Sequence, residues 1–105
     1  MDIFKKITER EIPADIIFED DRVIAIKDIN PVNPGHFLVI PKVHSINLID
    51  INEEDMNYLF SKARELANKT IKEMNVSGFK LQVNNGKESG QEVFRTHIHI
   101  IPSKK

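Results

Sequence analysis

Cysteine and tryptophan are absent from this 105-residue chain, and no apolar run is long enough for a membrane span or a signal peptide. Without cysteine the chain forms no disulfide, thiol nucleophile or thiolate metal site. Charge of neither sign dominates, because fifteen Lys and Arg stand against sixteen Asp and Glu, giving a net charge of -1. We therefore expect a cytoplasmic protein that binds neither nucleic acid nor a membrane.

The composition is that of an ordinary globular protein, with 40% hydrophobic and 30% charged residues. No repeat, low-complexity segment or linker divides the chain. The sequence therefore predicts a single domain over residues 1–105.

A short helix is predicted at the start of the chain. Ile3, Phe4 and Ile7 lie on one side of a helical turn, Asp2 is placed to cap its first amides, and Pro13 prevents its continuation. A long amphipathic helix is predicted to follow Asn52, its N-cap. Ser77 and Gly78 are predicted to end this helix.

Runs of β-branched and aromatic residues predict five strands, at residues 16–18, 23–26, 36–40, 79–83 and 93–101. Turns join most neighbouring strands, so the sheet should be largely antiparallel, with the long helix over one face. The predicted fold class is α+β.

Alternation along the last predicted strand separates its residues into two faces. The face towards the long helix holds Phe94, Thr96, Ile98 and Ile100. The other face holds Arg95, His97 and His99. Two neighbouring imidazoles are awkward to bury unless they bind a ligand, which indicates a functional site.

Two ligands suit these histidines. A phosphoryl centre would use one neutral imidazole as nucleophile and the other as hydrogen-bond donor, and the adjoining loop with Gly86 and Gly90 would let backbone amides approach a phosphate. A divalent metal ion would instead take His97 and His99 as ligands, with His36 or His44 as a third.

The segment GQEVFRTHIHIIP at residues 90–102 resembles the signature strand of the histidine triad family. Residues 2–4, 12–14, 17–21 and 34–42, together with His44, resemble the Hint branch of that family, so nearly the whole chain is covered. The resemblance implies a homodimer of five-stranded subunits that binds purine nucleoside monophosphates. It also implies hydrolysis of phosphoramidates through a covalent nucleotidyl-histidine, with no cofactor.

The resemblance gives particular residues a role. His97 matches the nucleophile, His99 the contact to a phosphate oxygen, His36 a supporting residue on the neighbouring strand, Asp28 the ribose-binding carboxylate and Asn84 an asparagine near phosphate and ribose. The other predicted nucleotide-binding residues are Ile3, Phe4, Ile7, Ile26 and Ile29 for the base, and Gly90, Gln91 and Glu92 in the loop.

From the residues alone, Asp28 would be a turn former, and Ile3, Phe4 and Ile7 a plain core face. Only the resemblance favours the binding roles over these simpler ones.

The chain departs from the family pattern at Arg95, which occupies the first triad position. A residue two places before the nucleophile can still offer its carbonyl to His97 Nδ1 and fix the imidazole tautomer. The Arg95 side chain could either add positive charge beside a phosphate or obstruct the site near His36. Three hypotheses remain open: a nucleotidyl hydrolase, a non-catalytic nucleotide- or partner-binding module, and a zinc site of His36, His97 and His99.

Overall fold

The computed structural model describes residues 3–105, so the capping predicted for Asp2 lies outside the described residues. In chain order the elements are α1 (Ile3–Thr8), β1 (Ile16–Glu19), β2 (Val23–Lys27), β3 (Phe37–Pro41), α2 (Glu53–Met74), β4 (Phe79–Gln82), a 3₁₀ turn (Lys87–Ser89) and β5 (Ile98–Pro102).

The five strands form one sheet in the order β1-β2-β3-β5-β4, and every neighbouring pair is antiparallel. Strand β3 is central, and its Leu38 lies opposite His99 of β5. The α+β class, the five strands, the long helix and the short N-terminal helix are confirmed.

The two faces of the sheet pack against different helices. Leu59 and Ala63 of α2 share one buried cluster with Val39 and Ile98, while Phe4 and Ile7 of α1 pack with residues on the opposite face. Burying a side chain such as Leu59 or Ile98 contributes about 1.5–3 kcal/mol. Since successive residues of β5 alternate between faces, its histidine points away from α2, towards α1.

The long helix begins as predicted and ends two residues before the predicted stop. The Asn52 side chain accepts a hydrogen bond from the Asp55 amide, as an N-cap does. Asn75, in the left-handed conformation, closes the helix, so the prediction of a stop at residues 77–78 was wrong. Asparagine tolerates this conformation better than most side chains do.

In the described part of the chain no helix has the length and apolarity needed to cross a membrane.

The β1–β2 hairpin is fixed by its acidic turn. Asp20 Oδ1 accepts hydrogen bonds from the Arg22 and Val23 amides at 2.8 and 2.7 Å, and Tyr58 of α2 donates its hydroxyl hydrogen to the other carboxylate oxygen. Arg22 also pairs with Asp55 of α2 at 2.9 Å. These contacts attach the hairpin turn to the long helix.

The last strand is shorter than predicted, because β5 begins at Ile98 and the preceding residues lie outside the sheet. Pro41 has no amide hydrogen, so it cannot donate to a ladder between β3 and an extended β5. The prediction that Phe94 faces the long helix was therefore wrong, because its side chain is 52% exposed. Arg95, predicted on the open face, is buried instead.

Candidate active site

Three imidazoles come together on the α1 side of the sheet. The ring centroids of His97 and His99 lie 5.0 Å apart, and those of His36 and His99 lie 5.2 Å apart. The Phe4 ring of α1 packs edge-on against His97, with 5.1 Å between centroids. A short helix, the start of β5 with the residue before it, and the residue before β3 thus build one site.

His97 is held in a single tautomer by the main chain. Its Nδ1 lies 2.7 Å from the Arg95 carbonyl oxygen, which can only accept, so Nδ1 carries the hydrogen. The Nε2 lone pair is left available as a nucleophile. Burial lowers the pKa of His97, although the Arg95 carbonyl and the Asp28 charge oppose this effect. The ring is therefore neutral at physiological pH.

The tautomer of His36 is fixed by a backbone amide. The Val32 amide donates to His36 Nδ1 at 3.1 Å, so that nitrogen carries no hydrogen and the ring proton is on Nε2. His36 Nε2 lies 3.0 Å from His99 Nδ1 and is the donor of that hydrogen bond. His99 consequently accepts at Nδ1 and carries its own proton on Nε2.

Two neighbouring histidines therefore have opposite chemical roles. His97 offers a lone pair at Nε2, while His99 offers an N–H donor at Nε2. Burial and the neighbouring His97 and His36 rings lower the pKa of His99 to about 4, so the second imidazole is also neutral at physiological pH. This is the arrangement that attack on a phosphorus atom and stabilisation of its oxygens require.

Asp28 joins this hydrogen-bonded group. Its Oδ2 lies 3.3 Å from His36 Nε2 and 3.9 Å from His99 Nδ1, while its Oδ1 accepts from the Asn30 amide at 2.8 Å. Asp28 therefore shapes the turn, as the residues alone suggested, and it also contacts the histidine group.

Asp28, His36 and His99 place one potential ligand atom each within 4.8 Å of one another. A metal ion there would need a lone pair on His36 Nε2, yet that nitrogen holds the ring proton because the Val32 amide occupies Nδ1. His97, the third residue of the zinc hypothesis, keeps its Nε2 lone pair free in either interpretation, so the difference lies with His36. The hydrogen bonds favour the phosphoryl interpretation over the metal one.

The glycine-containing loop is organised differently from expectation. The amides of Ser89, Gly90 and Gln91 donate to carbonyls within the loop, so they do not form the predicted phosphate cradle. The Gln91 amide group is also fully used, because it accepts from Asn47 and the Gly86 amide and donates to two carbonyls. Gln91 thus holds the loop in shape.

The three histidines open into a cleft of about 570 Å³, a suitable size for a nucleotide. Every residue predicted for catalysis or nucleotide binding lines it: Ile3, Phe4, Ile7, Ile26, Asp28, Ile29, His36, Asn84, Gly90, Gln91, Glu92, His97 and His99. Ile29, at the rim of this cleft, is 91% exposed. A larger groove of about 840 Å³ beside Pro34 and Met74 has no histidine in its lining.

Sequence reasoning anticipated the Arg95 carbonyl at His97 Nδ1 but missed the backbone donor at His36. The Val32 amide decides the tautomers of His36 and His99, and a backbone donor leaves no signature in a side-chain pattern. Leu38 and Val93 also line the cleft. The alternation of β3 placed Leu38 on a face, but only the fold shows that this face is the one with the histidines.

Acid should destabilise the protein before its carboxylates titrate. His99 has a pKa of about 4 in the fold against 6.5 in the unfolded chain. Between these two pH values the unfolded state binds more protons, so the free energy of unfolding decreases as the pH is lowered. From pH ~7 to pH ~5 this one group should remove about 2 kcal/mol. Urea unfolding at both pH values measures it, with His99→Gln as the comparison. Equal losses in both proteins would contradict the assignment.

Comparison with known proteins shows the family to which the chain belongs. The HIT domain family model matches residues 9–105. A 13.1 kDa HIT-like protein of Mesomycoplasma hyorhinis is 50% identical over 104 residues, which cover 99% of this chain and 94% of that protein. The chain therefore belongs to the histidine triad, or HIT, family.

Three other members of the family are similar to this protein along nearly its whole chain. Adenylylsulfatase HINT3 of Arabidopsis thaliana is 40% identical over 98% of this chain and 52% of its own length. The structure of a HIT family hydrolase from Clostridium thermocellum has a TM-score of 0.85 and 41% identity, covering 97% of this chain and 90% of the other. A HIT-like protein from Bartonella henselae has a TM-score of 0.93 and 40% identity, covering 96% and 77%.

Proposed function

We propose that this protein hydrolyses purine nucleoside 5′-phosphoramidates, or closely related nucleotidyl substrates, through a covalent nucleotidyl-histidine. The observation that carries the proposal is the opposite tautomers of His97 and His99, which place a lone pair and an N–H donor side by side. A site that only bound a nucleotide would gain from two donors and would not need a free lone pair.

In the proposed reaction, His97 Nε2 attacks the α-phosphorus and forms a nitrogen–phosphorus bond. The bond from phosphorus to the amine breaks, and the leaving nitrogen takes a proton from water. A second water then attacks phosphorus and gives a proton to the hydroxide that the first water left, the bond to His97 breaks, and the nucleoside monophosphate is released. His99 donates its Nε2 hydrogen to a non-bridging oxygen as charge develops there.

The nucleoside is bound by the remainder of the cleft. The apolar side chains of Phe4, Ile7 and Ile26 suit a purine base, and exposed Ile29 would be covered when the base enters. Asp28, whose Oδ2 lies 3.3 Å from His36 Nε2, is assigned to accept hydrogen bonds from the ribose hydroxyls, the role that the resemblance implies. The names of the relatives, a hydrolase and an adenylylsulfatase, fit this class of reaction.

The test is release of AMP from adenosine 5′-phosphoramidate, measured by chromatography in the presence of EDTA. We expect turnover in the absence of added metal, because no step above uses a metal ion. AMP binding by calorimetry without any turnover would instead support a non-catalytic binding module.

We also propose that the protein is a homodimer, as the family resemblance implied. Strand β4 is an edge of the sheet, so its outer backbone groups can pair with a second copy, and it carries one exposed apolar side chain, Leu81. Light scattering should give a mass near twice the monomer value of 12.1 kDa. A mass of one subunit across micromolar concentrations would contradict the dimer.

A further inference from the structure

The residue whose carbonyl accepts the His97 hydrogen bond is a buried arginine, Arg95. The Arg95 side chain is 3% exposed, and its Nη2 donates to the carbonyl oxygens of Pro41 at 2.7 Å and Lys42 at 3.1 Å. Arg95 is not among the residues lining the cleft. The contacts therefore support neither of the two roles considered from sequence, a cation beside the phosphate or an obstruction near His36.

The main chain of the same residue faces the site. The Arg95 carbonyl accepts the His97 Nδ1 hydrogen at 2.7 Å. One residue thus contacts the end of β3 through its side chain and the nucleophile through its carbonyl. Any movement of this carbonyl changes the acceptor that selects the His97 tautomer.

The sheet does not hold this carbonyl in place. Pairing between β3 and β5 extends only to Val39 opposite Ile98, so residue 95 lies beyond the ladder. The adjoining Thr96 amide donates to the Ser45 carbonyl at 2.9 Å, and the two hydroxyls are also hydrogen-bonded. The guanidinium bonds to residues 41 and 42 thus complete a clamp between this segment and the chain that follows β3.

We propose that Arg95 is a positioning residue for the nucleophile, whose guanidinium fixes the carbonyl that keeps the His97 hydrogen on Nδ1. The role deepens the proposed nucleotidyl transfer and rests on it, because a fixed tautomer matters most if His97 Nε2 attacks phosphorus. Arginine suits the position because its planar group reaches two carbonyls at once, which an ammonium on a single carbon does less well.

The test compares Arg95→Met and Arg95→Lys with the unmodified protein by nitrogen NMR of the histidine rings, together with kcat and KM. In Arg95→Met we expect the His97 signals to change from a single Nδ1–H tautomer to a mixture. We expect kcat to fall about 100-fold, the cost typical of a small misplacement of a reacting group, with KM unchanged. Arg95→Lys should recover part of both.

Arg22→Met is the matched control, since it removes an arginine that pairs with Asp55 away from the cleft. It should lower the melting temperature while the His97 tautomer and kcat stay as they are. If Arg95→Met behaves in the same way, the positioning role is wrong and the residue is only structural. If Arg95→Met does not fold, Arg95→Gln takes its place, since it removes the charge and the two-pronged donor; an unchanged single tautomer and kcat in that variant overturn the proposal.

Failure of the proposed function is distinguishable from failure of this inference. An unmodified protein without turnover, whose His97 tautomer nevertheless becomes mixed in Arg95→Met, would retain the positioning role and remove the catalytic one. Normal turnover in the unmodified protein, with a His97 tautomer that is the same in Arg95→Met, would retain the catalytic role of His97 and remove the positioning role of Arg95.

Discussion

Replacing His97 with asparagine is expected to lower kcat for adenosine 5′-phosphoramidate by about 10³-fold or more, leaving the fold intact. The Nε2 lone pair is the nucleophile that forms the covalent intermediate in the proposed reaction, and an amide nitrogen has no comparable lone pair. The ring packs at the cleft surface against Phe4, so its loss leaves no large cavity in the core. Steady-state AMP release, with circular dichroism to check folding, measures the effect.

The control for this variant is His44→Asn, which makes the same exchange at an exposed histidine that does not line the cleft. We expect its kcat to match that of the unmodified protein. Substantial turnover in His97→Asn would remove the nucleophile from the account. A parallel loss in His44→Asn would show that the exchange acts through folding or aggregation.

Replacing His99 with alanine should lower kcat by about 10²- to 10³-fold, the usual cost of removing one preorganised donor to a developing oxyanion. The Val32 amide and His36 leave His99 with its hydrogen on Nε2, so alanine removes that donor. It also removes the nearer acceptor of the His36 Nε2–H group, at 3.0 Å, and leaves only the Asp28 carboxylate oxygen at 3.3 Å.

His99→Gln separates donation from mere bulk, because the glutamine amide can supply an N–H group of similar reach. We expect its kcat to lie between those of the unmodified protein and His99→Ala. Equal kcat values for the two variants would show that an N–H donor at this position is not what stabilises the transition state.

Local patterns in the sequence predicted most of the fold. The hairpin follows from two β-branched runs around an acidic turn, and the structure shows Asp20 binding the turn amides as such turns do. The helix start at Asn52 follows from its capping side chain. Both features depend on contacts within a few residues, which is why sequence alone is sufficient for them.

The errors occurred where distant segments decide the outcome. The last strand was predicted from residue 93, yet its pairing partner β3 ends at Pro41, which has no amide hydrogen. Phe94 and Arg95 consequently exchange the exposure expected from alternation. The sequence pattern of one strand does not show where the neighbouring strand ceases to provide backbone hydrogen-bond donors.

The site shows the same division. Alternation predicted that His97 and His99 share a face, and the structure confirms it. The part played by His36 depends on the register between β3 and β5, and its tautomer depends on the Val32 amide. The choice between a zinc ligand set and a nucleophile-donor pair follows from those tautomers, so the residue types alone left it open.

The most direct test of the account is to trap the covalent intermediate. Brief reaction with adenosine 5′-phosphoramidate, rapid quenching at alkaline pH and peptide mass spectrometry should show one adenylyl group on His97. The same treatment of His97→Asn should show none. An adenylyl group on another residue, or sustained turnover without an adduct in either protein, would contradict the central claim that His97 is the nucleophile.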